Sequence, residues 1–94
     1  MIAIAGVEIA YIEAGPPADR AKATVLYVHG NLGSYRWFTS VMEIDGVRTL
    51  ALDMPNFGRS DRIETHSIDG YASYVTSFIE KVAGGPVVLV GHSL

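Results

Sequence analysis

An α/β fold with a largely parallel sheet is the reading that this 94-residue chain supports. Three observations carry it. Residues 25–28, 50–52 and 87–90 are short apolar runs without polar alternation, the pattern of strands buried on both faces beneath helices. Segments with helical spacing lie between those runs, and strands alternating with helices form parallel sheets. A polar, glycine-rich turn follows each run, and in open α/β sheets ligands bind at the carboxyl ends of the strands.

The elements follow in order. Ile2, Ala3 and Ile4 read as a short strand and Gly6 as a turn. Val7, Ile9 and Tyr11 then alternate with Glu8, Ala10 and Ile12, so residues 1–14 are expected to form a hairpin. Gly15, Pro16 and Pro17 break the chain, because two prolines cannot continue a ladder. The strand at 25–28 comes next. Trp37, Val41 and Ile44 form an apolar stripe within 34–44, which predicts a short helix with Trp37 in the core. The strand at 50–52 has Val47 leading in. A longer helix is expected from Ser67 to Ala83, with Ile68, Tyr71, Val75, Phe78, Ile79 and Val82 at steps of three and four. Ser67 suits its N-cap and Gly84 its C-terminal stop. The predicted order is β-β-β-α-β-α-β. Four residues follow Val90, so residues 1–94 are expected to be the incomplete N-terminal part of a single domain, cut in mid-motif.

Composition narrows the function. The chain is 49% hydrophobic and 18% charged, as a globular core requires. It has no cysteine, which excludes a disulfide framework and a thiolate metal site. Seven Lys and Arg are scattered among ten Asp and Glu, for a net charge of -3; nothing here favours nucleic acid. No apolar run approaches the ~20 residues of a bilayer span. The first residues lack a basic n-region and Glu8 interrupts their hydrophobicity, so a secretory signal is not expected and a cytoplasmic protein is.

The chemistry gathers on one rim. His29-Gly30-Asn31-Leu32-Gly33-Ser34 follows the first buried run, residues 53–60 follow the second, and Gly91-His92-Ser93-Leu94 follows the third. The last is the most informative. A sharp strand-to-helix turn that lifts a serine hydroxyl above a sheet needs small residues two positions before and after it. Gly91 supplies the first, giving the G-x-S of a G-x-S-x-G turn.

With these three segments in this order, the chain resembles the N-terminal portion of an α/β-hydrolase-fold protein of the serine-hydrolase type. The residues that carry the resemblance are His29-Gly30, the loop with Asp53 and Gly58-Arg59-Ser60-Asp61, and residues 87–93. It covers essentially the whole chain. One departure is Pro55-Asn56, where the family often has an Arg-Gly pair. The resemblance implies Ser93 as nucleophile. It also implies an oxyanion hole from the backbone N–H groups of Leu94 and Asn31, with Leu32 as the neighbour that could replace Asn31. It places the catalytic acid and His after Ser93 in chain order, beyond residue 94. It calls for no metal and no organic cofactor. The expected partner is a small-molecule substrate with an ester, lactone, thioester or related acyl bond, with neither nucleic acid nor membrane. Without the rest of the sheet, the 94 residues are expected to be poorly soluble and inactive, with residues 87–90 an exposed apolar edge.

Other readings are weaker. His29 belongs to the turn that shapes its loop, His92 neighbours Ser93, and His66 sits in a polar loop; none fits the base in the Ser-acid-His order. Asp53 could be a general base or metal ligand, but a strand-end aspartate more commonly holds the following turn. Arg59 and Asp61 read as loop-fixing or solvated charges. The glycine spacing at 30–33 fits neither a dinucleotide fingerprint nor a phosphate-binding loop. Haloalkane dehalogenases are similar at His-Gly-Asn, but they and epoxide hydrolases use an aspartate where Ser93 stands. A non-catalytic member of the fold, holding a small apolar ligand at the rim, is the alternative of a different class.

Overall fold

The computed structural model describes residues 1–30, 33–63 and 68–91. Two strands, β1 (Ile2–Ile4) and β2 (Val7–Ile9), pair antiparallel as a hairpin of their own. Its turn has Ala5 at φ 51° and Gly6 at φ 78°, the two positive angles that a two-residue turn needs to match strand twist. The remaining strands form a four-stranded sheet: β3 (Tyr11–Ala14), β4 (Ala23–Val28), β5 (Val47–Leu52) and β6 (Val88–Gly91), in spatial order β3-β5-β4-β6. β3 runs antiparallel to β5, whereas β4 is parallel to both β5 and β6. The chain therefore steps from β4 to β5 on one side, then crosses back over β4 to β6 on the other.

The expected hairpin over residues 1–14 is split in two. Ala10 separates β2 from β3, and the two strands take different partners. The cause lies in the loop after β5. Ala10 N–H donates to Ser60 Oγ at 2.9 Å, and Ala10 C=O accepts the Asp53 N–H at 2.8 Å. With both backbone groups taken, the ladder changes sheets at this buried residue.

Both faces of β4 and β5 are covered, as their unalternating runs require, whereas the third run, in β6, is exposed. On one face Leu26, Leu50 and Leu52 join Ile4, Ile9, Met54, Phe78 and Ala83 in the larger core cluster. On the other, Tyr27 and Ala51 pack with Phe38 and Met42. The first face is covered by helix α1 (Ile68–Phe78) and by the hairpin. α1 continues into a π turn at Ile79–Ala83 and stops at Gly84, which is left-handed and donates its N–H to the Ile79 carbonyl. The predicted stop is borne out; Ser67, the predicted N-cap, lies outside the described residues.

Arg48 of β5 anchors that helix end. Its guanidinium donates to the Ala83 and Val82 carbonyls at 3.1 and 3.0 Å, and to Glu13 Oε2 at 2.7 Å. Terminal helix carbonyls lack partners within the helix, and a cation suits that end of the dipole. Arg48→Leu is expected to destabilise the fold by about 2–3 kcal/mol, since buried carbonyls lose charged donors. Glu13→Gln should cost less than about 1 kcal/mol, because the Glu13 side chain is 40% exposed. Urea denaturation of the two variants checks the order; a larger loss from Glu13→Gln would refute the capping role.

The segment at 34–44 differs from expectation. It is a 3₁₀ helix at Tyr35–Val41, and Trp37, Val41 and Ile44 are 47%, 51% and 43% exposed. The buried residues are Phe38 and Met42 instead. The tertiary bonds explain the rotation. Asp53 accepts the Tyr35 N–H, Tyr27 donates its hydroxyl to the Val41 carbonyl, and Thr49 donates to the Met42 carbonyl. These fix the backbone so that Phe38 stacks on Tyr27 with ring centroids 5.0 Å apart. Placing Trp37 in the core was therefore an error. β6 lies at the sheet edge, with Val88, Leu89 and Val90 exposed.

Candidate active site

The strand order sets where a site can form. The direction of progression reverses at β4, and in open α/β sheets a ligand crevice opens at such a switch, beyond the carboxyl ends of the strands. Here the two strands flanking the switch are in register, with Val28 of β4 opposite Gly91 of β6. Val28 leads directly into His29-Gly30, and Gly91 leads directly into His92-Ser93. Ser93, Leu94 and Asn31, the predicted nucleophile and oxyanion-hole donors, lie outside the described residues, as do His66 and His92. The structure describes a frame of strand ends and the loops that adjoin them.

That frame consists of the loops after β4 and β5, cross-linked to one another. Asp53 is 1% exposed. Its Oδ1 accepts the Tyr35 N–H at 2.7 Å and its Oδ2 accepts the Arg59 N–H at 2.8 Å. One carboxylate thus ties the end of β5 to the first turn of the 3₁₀ helix and to its own loop. Ser34 adds a second cap there, its Oγ accepting the Arg36 N–H at 3.2 Å. Both oxygens of Asp53 are committed to backbone donors, which fits the turn-holding role and not that of a free base. Among the described residues, no group of three or more His, Asp or Glu is placed to hold a metal ion.

The second cross-link runs the other way. His29, 2% exposed, receives the Met54 N–H on Nε2 at 2.9 Å, and its Nδ1 lies 2.7 Å from the Gly30 carbonyl oxygen. An N–H can only donate and a carbonyl can only accept. The imidazole therefore carries its hydrogen on Nδ1 and a lone pair on Nε2. With both ring nitrogens bound to backbone, His29 is not poised as a catalytic base, in line with the sequence reading. Its ring also meets the edge of Phe57, centroids 5.2 Å apart.

The loop after β5 closes on itself through residues whose part was not recognised from sequence. Asn56 sits at φ 75°. Its Oδ1 accepts the Ile63 N–H at 2.6 Å and its Nδ2 donates to the Tyr71 hydroxyl at 3.2 Å, tying the loop to α1. The signal was present: asparagine after proline is a turn pair, and asparagine tolerates positive φ. Ser60 is buried, accepting from Ala10 and donating to the Asp53 carbonyl. Asp61 accepts the Glu8 N–H and donates its own N–H to the Glu8 carbonyl, so it fixes the loop as expected. Among the described residues, no helix is long and apolar enough to cross a membrane.

Known proteins share this fold. Residues 25–94 match the family described as "Alpha/beta hydrolase family". A curated relative, the uncharacterized hydrolase YugF of Bacillus subtilis (strain 168), is 34% identical over a 77-residue match that covers 78% of this chain and 28% of the relative. A thermophilic esterase superposes with a TM-score of 0.78 at 30% identity, over 98% of this chain and 33% of its own. The Cif epoxide hydrolase from Acinetobacter nosocomialis superposes with a TM-score of 0.84 at 25% identity, over 99% of this chain and 29% of its own. The chain thus spans 28% of its curated relative's length. The parallel strands in the order β5-β4-β6, the loops linked across their ends and the match from residue 25 onward agree: the chain belongs to the alpha/beta hydrolase family.

Proposed function

We propose that the full-length protein is a serine hydrolase. It cleaves an ester, lactone, thioester or related acyl bond of a small molecule through an acyl-enzyme on Ser93. One observation carries the proposal: β6 lies parallel to β4 with Gly91 opposite Val28. The carboxyl ends of β4 and β6 therefore lie side by side, at the switch of the sheet.

The chemistry follows from that neighbourhood. The Ser93 hydroxyl attacks the acyl carbon while its proton passes to a histidine base, since a free hydroxyl is a weak nucleophile. The carbonyl oxygen gains charge as the carbon becomes tetrahedral. Backbone N–H groups of Asn31 and Leu94 receive that charge; each such donor contributes ~2.7–4 kcal/mol in a related case. The side chain of Leu94 is irrelevant to this task. Collapse expels the leaving group with the proton from histidine, and water then releases the acyl group by the same path. The histidine and its acid partner belong to the two-thirds of the family domain outside these 94 residues.

The likeness to the Cif epoxide hydrolase favours a second reading, epoxide opening. It is weaker because epoxide opening in this fold uses an aspartate nucleophile where this chain has Ser93. A fluorophosphonate separates the two. The full-length protein is expected to be labelled, and Ser93→Ala to lose the label entirely; label persisting in the variant overturns the assignment. The 94-residue chain alone is expected to hydrolyse p-nitrophenyl esters no faster than its Ser93→Ala variant. Triad loss costs on the order of 10⁶ in kcat in a well-studied hydrolase.

A further inference from the structure

We propose that the β1–β2 hairpin is a conformational strap: docked, it holds the loop after β5 shut, so that the hairpin and the cross-linked loops of the rim open and close as one unit. A two-stranded hairpin is marginal by itself in water. Among the described residues, β1 and β2 pair only with each other, so their order depends on what they dock against. One part of the docking is apolar. Ile4 and Ile9, 2% and 0% exposed, belong to the same core cluster as Leu52, Met54 and Phe78. The other part is polar, and it falls on both ends of a single loop. The Ala10 carbonyl accepts the Asp53 N–H at 2.8 Å, where the loop leaves β5. Where the loop returns, Ala10 N–H donates to Ser60 Oγ at 2.9 Å, and Glu8 exchanges two bonds with Asp61. Ser60 Oγ donates in turn to the Asp53 carbonyl. The two ends of the loop therefore meet at residues 8–10.

What the strap holds is passed on to the neighbouring segments. Within the closed loop, Asp53 Oδ1 accepts the Tyr35 N–H at 2.7 Å, and the Met54 N–H donates to His29 Nε2 at 2.9 Å. Both bonds start from the first two residues of the loop, next to the point that Ala10 pins. Undocking residues 8–10 takes the acceptor from the Asp53 N–H and the donor from Ser60 at once. An unpaired buried N–H is costly, so the freed backbone turns toward water and carries Asp53 and Met54 away from Tyr35 and His29. Units of this kind open at a lower free energy than the whole domain. The strap stands whether or not Ser93 is a nucleophile.

Hydrogen exchange of the full-length protein, read amide by amide, tests the strap. In the unsubstituted protein, the Val7, Glu8, Ala10, Tyr35 and Met54 amides are expected to share one protection factor, at least about tenfold below that of Leu26 and Leu50 in the strand interior. Gly6→Ala perturbs the hairpin alone, because Gly6 has φ 78° and a Cβ there would meet nothing within 4 Å. It should accelerate Tyr35 and Met54 by the same factor as Val7, about 5–30-fold from the cost of a left-handed L-residue. Coupling is reciprocal. Ser60→Ala, made in the loop, should therefore accelerate Val7 by the factor it gives Met54. Tyr35 and Met54 unmoved by Gly6→Ala, or Val7 unmoved by Ser60→Ala, overturns the proposal. So does a protection of Tyr35 and Met54 in the unsubstituted protein equal to that of Leu26 and Leu50, because the rim then opens only with the whole domain; this last result needs no variant to fold.

Discussion

Asp53→Ala is expected to destabilise the full-length protein by about 3–5 kcal/mol, more than any single replacement at the exposed surface. The carboxylate accepts the Tyr35 and Arg59 N–H groups in a site that is 1% exposed. Each hydrogen bond to a charged acceptor is worth about 1.5–3 kcal/mol, and each buried donor left unpaired adds a desolvation cost. The variant removes both bonds and strands both donors, one of them at the start of the 3₁₀ helix, where N–H groups have no helical partner. The removal of a buried charge offsets part of the loss. Asp53→Asn should cost about 2 kcal/mol, because it keeps one acceptor and turns an NH₂ toward the other donor. Urea midpoints at constant m-value measure both. A loss below about 1 kcal/mol for Asp53→Ala, together with abolished turnover, would point to a chemical role instead of a structural one.

Gly58→Ala should be nearly as damaging, and for a reason tied to the same carboxylate. Gly58 has φ 52°, and a Cβ there would fall inside van der Waals contact of the Asp53 carboxylate. The left-handed conformation alone costs an L-residue about 1–2 kcal/mol. The contact adds more, because Asp53 is pinned on both oxygens and cannot swing aside. A total of about 3 kcal/mol or more follows. The two sites are therefore coupled. In an Asp53→Ala background the clash disappears and Gly58→Ala should cost under about 2 kcal/mol, leaving only the backbone term. Additive losses in this double-mutant cycle would show that Gly58 is required for its φ alone.

The legible parts of the fold were those in which side-chain pattern and backbone demand agree. Residues 25–28 and 50–52 lack alternation because Leu26 and Tyr27, or Leu50 and Ala51, face opposite covered faces. The period of α1 and its stop at Gly84 were readable because burial on one face and a left-handed end each require particular residue types. The rotation of the 3₁₀ helix was not readable. Trp37, Val41 and Ile44 outweigh Phe38 and Met42 as a stripe, yet three hydrogen bonds from Asp53, Tyr27 and Thr49 decide which side turns inward. The break at Ala10 was hidden for the same reason, since its partners Asp53 and Ser60 lie more than forty residues along the chain.

From residue types and spacing alone came the class of the sheet, the rim on which polar turns gather and the candidate serine. Those features depend on local periodicity and on which residues permit a tight turn. Only the folded chain decided that β6 sits against β4, that Asp53 and His29 spend their polar atoms on backbone, and that Phe38 displaces Trp37 from the interior. Each is a pairing between segments far apart in sequence. Such a pairing is settled by which backbone donors and acceptors remain unsatisfied once the strands have met, a quantity that no local pattern contains.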